Sequence, residues 1–287
     1  MNIATATAIA TATETETANP AASRGAAWLA ALSGNAARVA GYPASVQVAD
    51  AALGGQPARF VALVPDPASA WPRARHGEAG VIEGWSLARA VHEVVQADRD
   101  TAIKRPVVAI VDTPSQAYGR REEAFGIHQS LAGAAGAYAQ ARLRGHPVIA
   151  LLVGPAMSGA FLAHGYQANR LLALDDAGVE VHAMGKQAAA RITMRSVEDL
   201  ETFAASVPPM AYDIGSYATL GLLWRRIRVG HAAAPDAADL DTVQGALLAA
   251  LADILADPQR DLRSRLGGPN RQASGRVREV LARQWDD

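Results

Sequence analysis

The sequence predicts an α/β protein assembled from stacked β-β-α units. Three observations carry that expectation. The runs Arg105 to Val111 and Val148 to Val153 are rich in Val, Ile, Leu and Ala, read as strands buried on both faces, and are separated by a long helical stretch. Two strand candidates near the start, 45–50 and 58–64, follow each other without a helix between them. A second adjacent pair, 170–174 and 178–182, does the same. A simple doubly wound sheet would place a helix in both gaps.

Taken in order, Gly25-Ala-Ala-Trp-Leu-Ala-Ala-Leu32 reads as a short helix closed by Ser33-Gly34. Ser45-Val-Gln-Val-Ala-Asp50 alternates as a strand does, and Ala58-Arg-Phe-Val-Ala-Leu-Val64 is nearly all apolar. Gly54-Gly55-Gln56-Pro57 between them is a turn signal. Leu87, Ala90, Val91 and Val94 recur at helical spacing, with Ser86 as a candidate N-cap. Asp112-Thr113-Pro114 stops the next strand, and one long helix is expected from about Glu122 to Arg144. Gly145-His146-Pro147 ends it. A helix should start near Ser158-Gly159, after the strand at 148–153. Residues 196–257 read as mostly helical with a break at Pro208-Pro209. A loop at 266–273 and a basic helix from Ser274 to Trp285 complete the chain. Residues 1–22, rich in Ala and Thr, read as a low-complexity, mobile tail, leaving 23–287 as the folded domain.

Composition removes several function classes. The 287 residues are 50% hydrophobic and 19% charged, which excludes disorder over the full length. With 27 basic and 28 acidic residues the net charge is -1, so no dominant footprint for nucleic acid is expected. Cys is 0, which removes disulfides, thiolate metal sites and a Cys nucleophile, and fits a cytoplasmic protein. No apolar run approaches the roughly 20 residues of a membrane span. The histidines outside position 182 show no metal-ligand spacing and read as surface or capping residues.

The most informative stretch is Val153-Gly-Pro-Ala-Met-Ser-Gly-Ala-Phe-Leu-Ala-His164. A buried strand runs into a tight small-residue bend and then a helix. Such a bend leaves backbone N–H groups at a helix N-terminus pointing outward, where they can stabilise an oxyanion. Gly159 and Ala160 would let a substrate approach the backbone closely. The competing reading is that Gly and Ala merely let a helix pack tightly on a sheet. Gly159 is followed by Ala160-Phe161, so the bend is no P-loop; the three glycines of a dinucleotide fingerprint are absent. Ser158 has Ala156 and Ala160 two residues either side, so a hydrolase using Ser158 and His182 lacks its nucleophile elbow.

Two further stretches could border a site. In Asp112-Thr-Pro-Ser-Gln-Ala-Tyr-Gly-Arg-Arg121, Pro114 and Gly119 shape a loop at a strand's carboxyl end, and Tyr118 could form a wall or donate a hydrogen bond. An ordinary turn capped by Glu122-Glu123 explains the same residues. In His182-Ala-Met-Gly-Lys-Gln187, Gly185 and Lys186 open another helix, a second terminus suited to an anion, or else a solvated Lys.

At Asp112-Thr-Pro114, Glu122-Glu123, His146-Pro-Val148 and the turn from Gly154 to Ala163 the chain resembles the carboxyltransferase branch of the crotonase superfamily, whose pattern is Asp-Thr-Pro-Gly-Ala-Tyr, an acidic helix start, and a Gly-Gly-Ser-Gly-Gly-Ala turn. Within that branch Val181-His-Ala-Met-Gly-Lys186 and Arg191-Ile-Thr193 are most similar to the malonate decarboxylase gamma-subunit family. The resemblance implies a crotonase-like superhelix of β-β-α units, covering about residues 80–260. It also implies decarboxylation of a malonyl thioester on an acyl-carrier protein through an enolate, without biotin. The N–H groups of Gly159 and Ala160 would then form an oxyanion hole, with Ser158, Tyr118 and Lys186 orienting or protonating. Gly159-Ala160 stands where the family pairs glycines, and Ala183-Met184-Gly185 replaces the Pro-Glu-Gly of biotin-dependent carboxyltransferases. The expected partners are a beta subunit, an acyl-carrier protein and an acyltransferase subunit. No cofactor is expected on this chain alone; the CoA-derived prosthetic group of the carrier protein would bring the substrate. A carboxyltransferase subunit working between biotin and acyl-CoA is the alternative.

Overall fold

A computed structural model describes residues 23–285, so the expected tail at 1–22 lies outside the described residues. Among these residues the frame is one seven-stranded sheet. β1 (Val46–Leu53) and β2 (Gln56–Leu63) form an antiparallel hairpin. Gly54 and Gly55 turn it with φ of 60° and 80°, a left-handed pair that glycine adopts without Cβ strain. The other pairings are parallel: β2 with β3 (Val107–Thr113), β3 with β4 (Val148–Met157), β4 with β5 (Arg170–Leu174), and β5 with β7 (Arg225–Ile227). Strands β3, β4 and β5 are buried almost throughout, which is why they read as apolar runs without alternation.

β4 does two jobs. Ile149 to Leu152 pair with β5 at the centre of the sheet. The register with β3 then shifts between Val111 and Thr113, so that Thr113 faces Ala156. Beyond that bulge β4 leaves β5 behind, and Ala156 and Met157 pair with β6 (Val181–His182) instead. The strands expected at 170–174 and 178–182 are neighbours in sequence but not in the sheet: each pairs with a different part of β4, and the second is shorter than expected, with only two residues.

Helix α1 (Arg24–Leu32) covers the end of β3 and seats Trp28 in the core, where its indole N–H donates to the Ala232 carbonyl at 2.8 Å. α2 (Val81–Ala97) starts at Val81 with Gly80 as N-cap, so Ser86 lies inside it and caps nothing. Buried Glu83 supersedes it: one carboxylate oxygen accepts the Gly80 N–H at 3.0 Å and the other accepts from the Ser45 hydroxyl at 2.7 Å. The single helix expected over 122–144 is two helices, α3 (Arg120–Ala124) and α4 (Ile127–Leu143). Gly126, at φ 77°, is the left-handed residue between them. α4 packs against α2 closely enough that a Cβ on Gly84 would stand 2.8 Å from the Ser130 backbone.

The remaining helices are α5 (Ser158–Ala163), α6 (Lys186–Ile192), α7 (Val197–Ala205), α8 (Ile214–Thr219), α9 (Ala237–Ala256) and α10 (Gln272–Trp285). β7 falls inside a stretch expected to be helical. The expected loop at 266–273 contains a 3-10 turn at Pro269–Arg271 and the first residues of α10. Among the described residues no helix is long and apolar enough to cross a membrane.

Candidate active site at the bend between β4 and α5

The chain passes from β4 into α5 at Ser158, whose φ of 50° is left-handed. A non-glycine residue held there is strained and needs its surroundings to hold it. The Ser158 hydroxyl supplies part of that hold. It accepts the Gln116 backbone N–H at 3.1 Å and lies 3.4 Å from the Ser115 hydroxyl. The loop after β3 is fixed in turn by a bridge to Ala79, with Ala79 N–H donating to Ser115 O at 3.0 Å and Ala117 N–H to Ala79 O at 2.8 Å. The bend and the Pro114–Gly119 loop thus form one unit.

The amides of the first turn of α5 have no helical carbonyl to bind. Gly159 N–H donates to the side-chain oxygen Oε1 of Gln116 at 3.0 Å. Ala160 N–H follows it in the same turn, with its side chain fully buried. Gly159 is half-buried, and a Cβ there would stand 2.2 Å from that same Gln116 oxygen. Backbone amides that face an acceptor atom across a small-residue bend can hold developing negative charge on oxygen.

The far side of α5 is anchored by a buried histidine. The His164 N–H at Nε2 donates to the Ile110 carbonyl at 2.9 Å, and the Tyr138 hydroxyl donates to Nδ1 at 3.0 Å. Burial pushes its pKa down to about 4, so the ring stays neutral. The expectation that His164 and His146 are surface or capping residues is corrected: their exposures are 0% and 2%.

The other expected site residues sit on two sides of the bend. Pro114, Tyr118 and Gly119 are exposed on the β3–α3 loop, and Tyr118 is 44% exposed. Gly119 has φ 148° and open space where a Cβ would stand. On the other side, β6 pairs Met157 with His182 and carries the chain to Gly185 and Lys186 at the start of α6. The Lys186 ammonium meets Glu180 at 2.7 Å and Glu201 at 3.0 Å. The Glu180 hydrogen bond, ahead of the opposing burial, raises its pKa and keeps it charged.

Residues outside the expected site set also border this region, Gln116 foremost. His182 stacks on Tyr212 with ring centres 4.1 Å apart and planes at 18°, and burial lowers its pKa. Its Nδ1 lies 3.0 Å from the Met184 carbonyl oxygen. Glu122, buried beside Glu83 at the start of α2, accepts the Val81 N–H at 3.4 Å. Burial raises its pKa, and the charge of Glu83 adds to the rise. Their spacing in sequence carries no period that would have marked them.

A largely parallel seven-stranded sheet whose central strand runs through a bend into a short helix defines the fold, and solved structures with little sequence identity share it. A transcarboxylase 12S matches with TM-score 0.61 and 20% identity, over 80% of this chain and 42% of that one. The fold is that of the crotonase-like carboxyltransferases. Much nearer in sequence is a Pseudomonas malonate decarboxylase hetero-tetramer in complex with coenzyme A, with TM-score 0.89 and 66% identity over 92% of this chain and 100% of that one. A Pseudomonas malonate decarboxylase MdcD-MdcE hetero-dimer gives 0.86 and 62%, over 92% and 99%. The malonyl-S-ACP:biotin-protein carboxyltransferase MADD of Malonomonas rubra is 33% identical over 205 residues, 70% of this chain and 67% of that protein. The profile of malonate decarboxylase gamma subunits matches residues 74–285, and this chain belongs to that family.

Proposed function

We propose that this subunit works in the decarboxylation of malonyl-S-acyl-carrier protein to acetyl-S-acyl-carrier protein. The bond between the carboxylate carbon and C2 breaks, carbon dioxide leaves, and the electron pair passes into a thioester enolate. A proton added at C2 completes the acetyl group. The barrier is charge developing on the thioester oxygen. The N–H groups of Gly159 and Ala160 hold that oxygen, each contributing about 3–4 kcal/mol to the transition state. One observation carries this reading: the Gly159 amide already donates to a carbonyl-type oxygen, Oε1 of Gln116, at 3.0 Å.

In this reading Ser158 keeps the bend in shape, while Pro114, Tyr118 and Gly119 on one side and Gly185 and Lys186 on the other border the substrate. A beta subunit of the same fold completes the site, as the hetero-dimer and hetero-tetramer of the Pseudomonas relatives suggest. An acyl-carrier protein delivers the malonyl group on its CoA-derived arm, loaded by an acyltransferase subunit. The chain itself carries no further cofactor in this scheme.

The test is Gly159→Val in the assembled complex. Its Cβ would crowd the movable end of Gln116 and touch the Leu131 side chain at 3.4 Å, so the fold should survive. Turnover should fall by about a hundredfold or more, because the added side chain fills the place the oxygen must take against the Gly159 N–H, with an effect like that of removing one oxyanion donor. A variant that copurifies with its partner and retains full turnover refutes the assignment, and would leave this chain a scaffold for the beta subunit.

The biotin-protein carboxyltransferase relative favours a second reading, transfer of the carboxyl group to biotin. Carbon dioxide release by the purified complex separates the two: it should be insensitive to avidin in the first and blocked in the second.

A further inference from the structure

We infer that Gln116 occupies the oxyanion position in the resting subunit and has to swing away before the thioester can enter, which makes it a positioning residue for the reaction. This rests on the reading of Gly159 as an oxyanion donor. Gln116 Oε1 stands 3.0 Å from the Gly159 nitrogen, where the enolate oxygen would sit. It is a planar carbonyl-type oxygen, the same kind of acceptor as the thioester carbonyl that replaces it.

The two halves of Gln116 are held very differently. Its backbone N–H is bound to the Ser158 hydroxyl at 3.1 Å, and the residues on either side are bridged to Ala79. Its side chain is half-buried, and the Gly159 N–H is its one hydrogen-bonding partner among the described residues. Rotation about the side-chain bonds therefore frees Gly159 without disturbing the bend.

The exchange is favourable in one direction only during reaction. Gln116 offers a neutral acceptor, and the enolate offers a charged one. Charge-assisted hydrogen bonds are roughly twice as strong as neutral ones. The amide side chain is thus a weak occupant: it satisfies Gly159 between turnovers, gives up its place to the thioester carbonyl as substrate enters, and does not compete once that oxygen has gained charge. A carboxylate at the same place would be a strong occupant, and would also repel the malonyl carboxylate.

This predicts opposite effects from two substitutions at one position. In the complex with the beta subunit, Gln116→Ala should lower KM for the malonyl carrier about two- to tenfold, with kcat within about twofold of the parent. Gln116→Glu, nearly the same shape, should raise KM tenfold or more. A residue that only supports the bend would impair the enzyme in both variants. KM moving the same way in both, or in neither, overturns the proposal, as does loss of kcat in Gln116→Ala. Gly159→Val, measured alongside, tells the two ideas apart: if it is inactive while the Gln116 variants fail the test, the oxyanion assignment stands and the gate falls.

Discussion

Asp112 Oδ2 accepts the Gly25 N–H at 2.9 Å across 87 residues of sequence, so the strand that leads to the loop bearing Gln116 also caps the first helix of the fold. The Ser23 hydroxyl donates to the same oxygen at 3.1 Å. The other oxygen leaves no room for a side chain at position 154, where a Cβ would stand 2.0 Å away. Asp112→Ala should therefore cost about 1–2 kcal/mol, the usual loss for a helix cap. Gly154→Ala should be destabilising in the parent and much less so in the Asp112→Ala background. Denaturant titration of the two single variants and the double variant measures that coupling; additive losses would mean that the close approach is relieved elsewhere.

His164 gives the fold a pH dependence with a definite sign. Its folded pKa of about 4 lies below the ordinary histidine value. At acid pH the unfolded chain takes up the proton first. The contribution is complete above about pH 6.5 and is lost as pH falls towards 4. Thermal midpoints of the parent should decline through that window. His164→Asn should start lower at pH 8, with the Tyr138 hydroxyl deprived of its partner, and decline less steeply.

Lys186 offers a way to separate stability from substrate contact. Its partners Glu180 and Glu201 are partly exposed, with side-chain exposures of 29% and 51%. Ion pairs of this kind are worth about 1 kcal/mol or less. Lys186→Gln should leave the unfolding midpoint nearly unchanged while raising KM for the malonyl carrier severalfold. An unchanged KM would remove Lys186 from the substrate wall.

Much of the sheet was legible because β3, β4 and β5 are covered on both faces and their sequences have no polar alternation to confuse them. Gly54-Gly55 announced the hairpin for a local reason, the left-handed backbone that both positions require. β7 was not legible: Arg225 and Arg226 are exposed and only Ile227 is buried, so three residues with one apolar side chain look like any loop. The break at Gly126 was hidden among glycines that sit inside α4, Gly133 and Gly136, since a helical glycine and a helix-ending one have the same letter. At the site, the bend at 158–160 could be read from its small residues. Gln116 could not, because its meeting with Gly159 joins two loops 43 residues apart and exists only once β3 and β4 are paired.

The brevity of β6 makes the tip of β4 the fulcrum of a lever. Residues 184–212 pack their own small apolar cluster around Met157, the residue just before Ser158, and β6 ties that assembly to β4 through two paired residues. Anything that grips this arm therefore pulls on Met157, the neighbour of the left-handed Ser158, across a strand contact two residues wide.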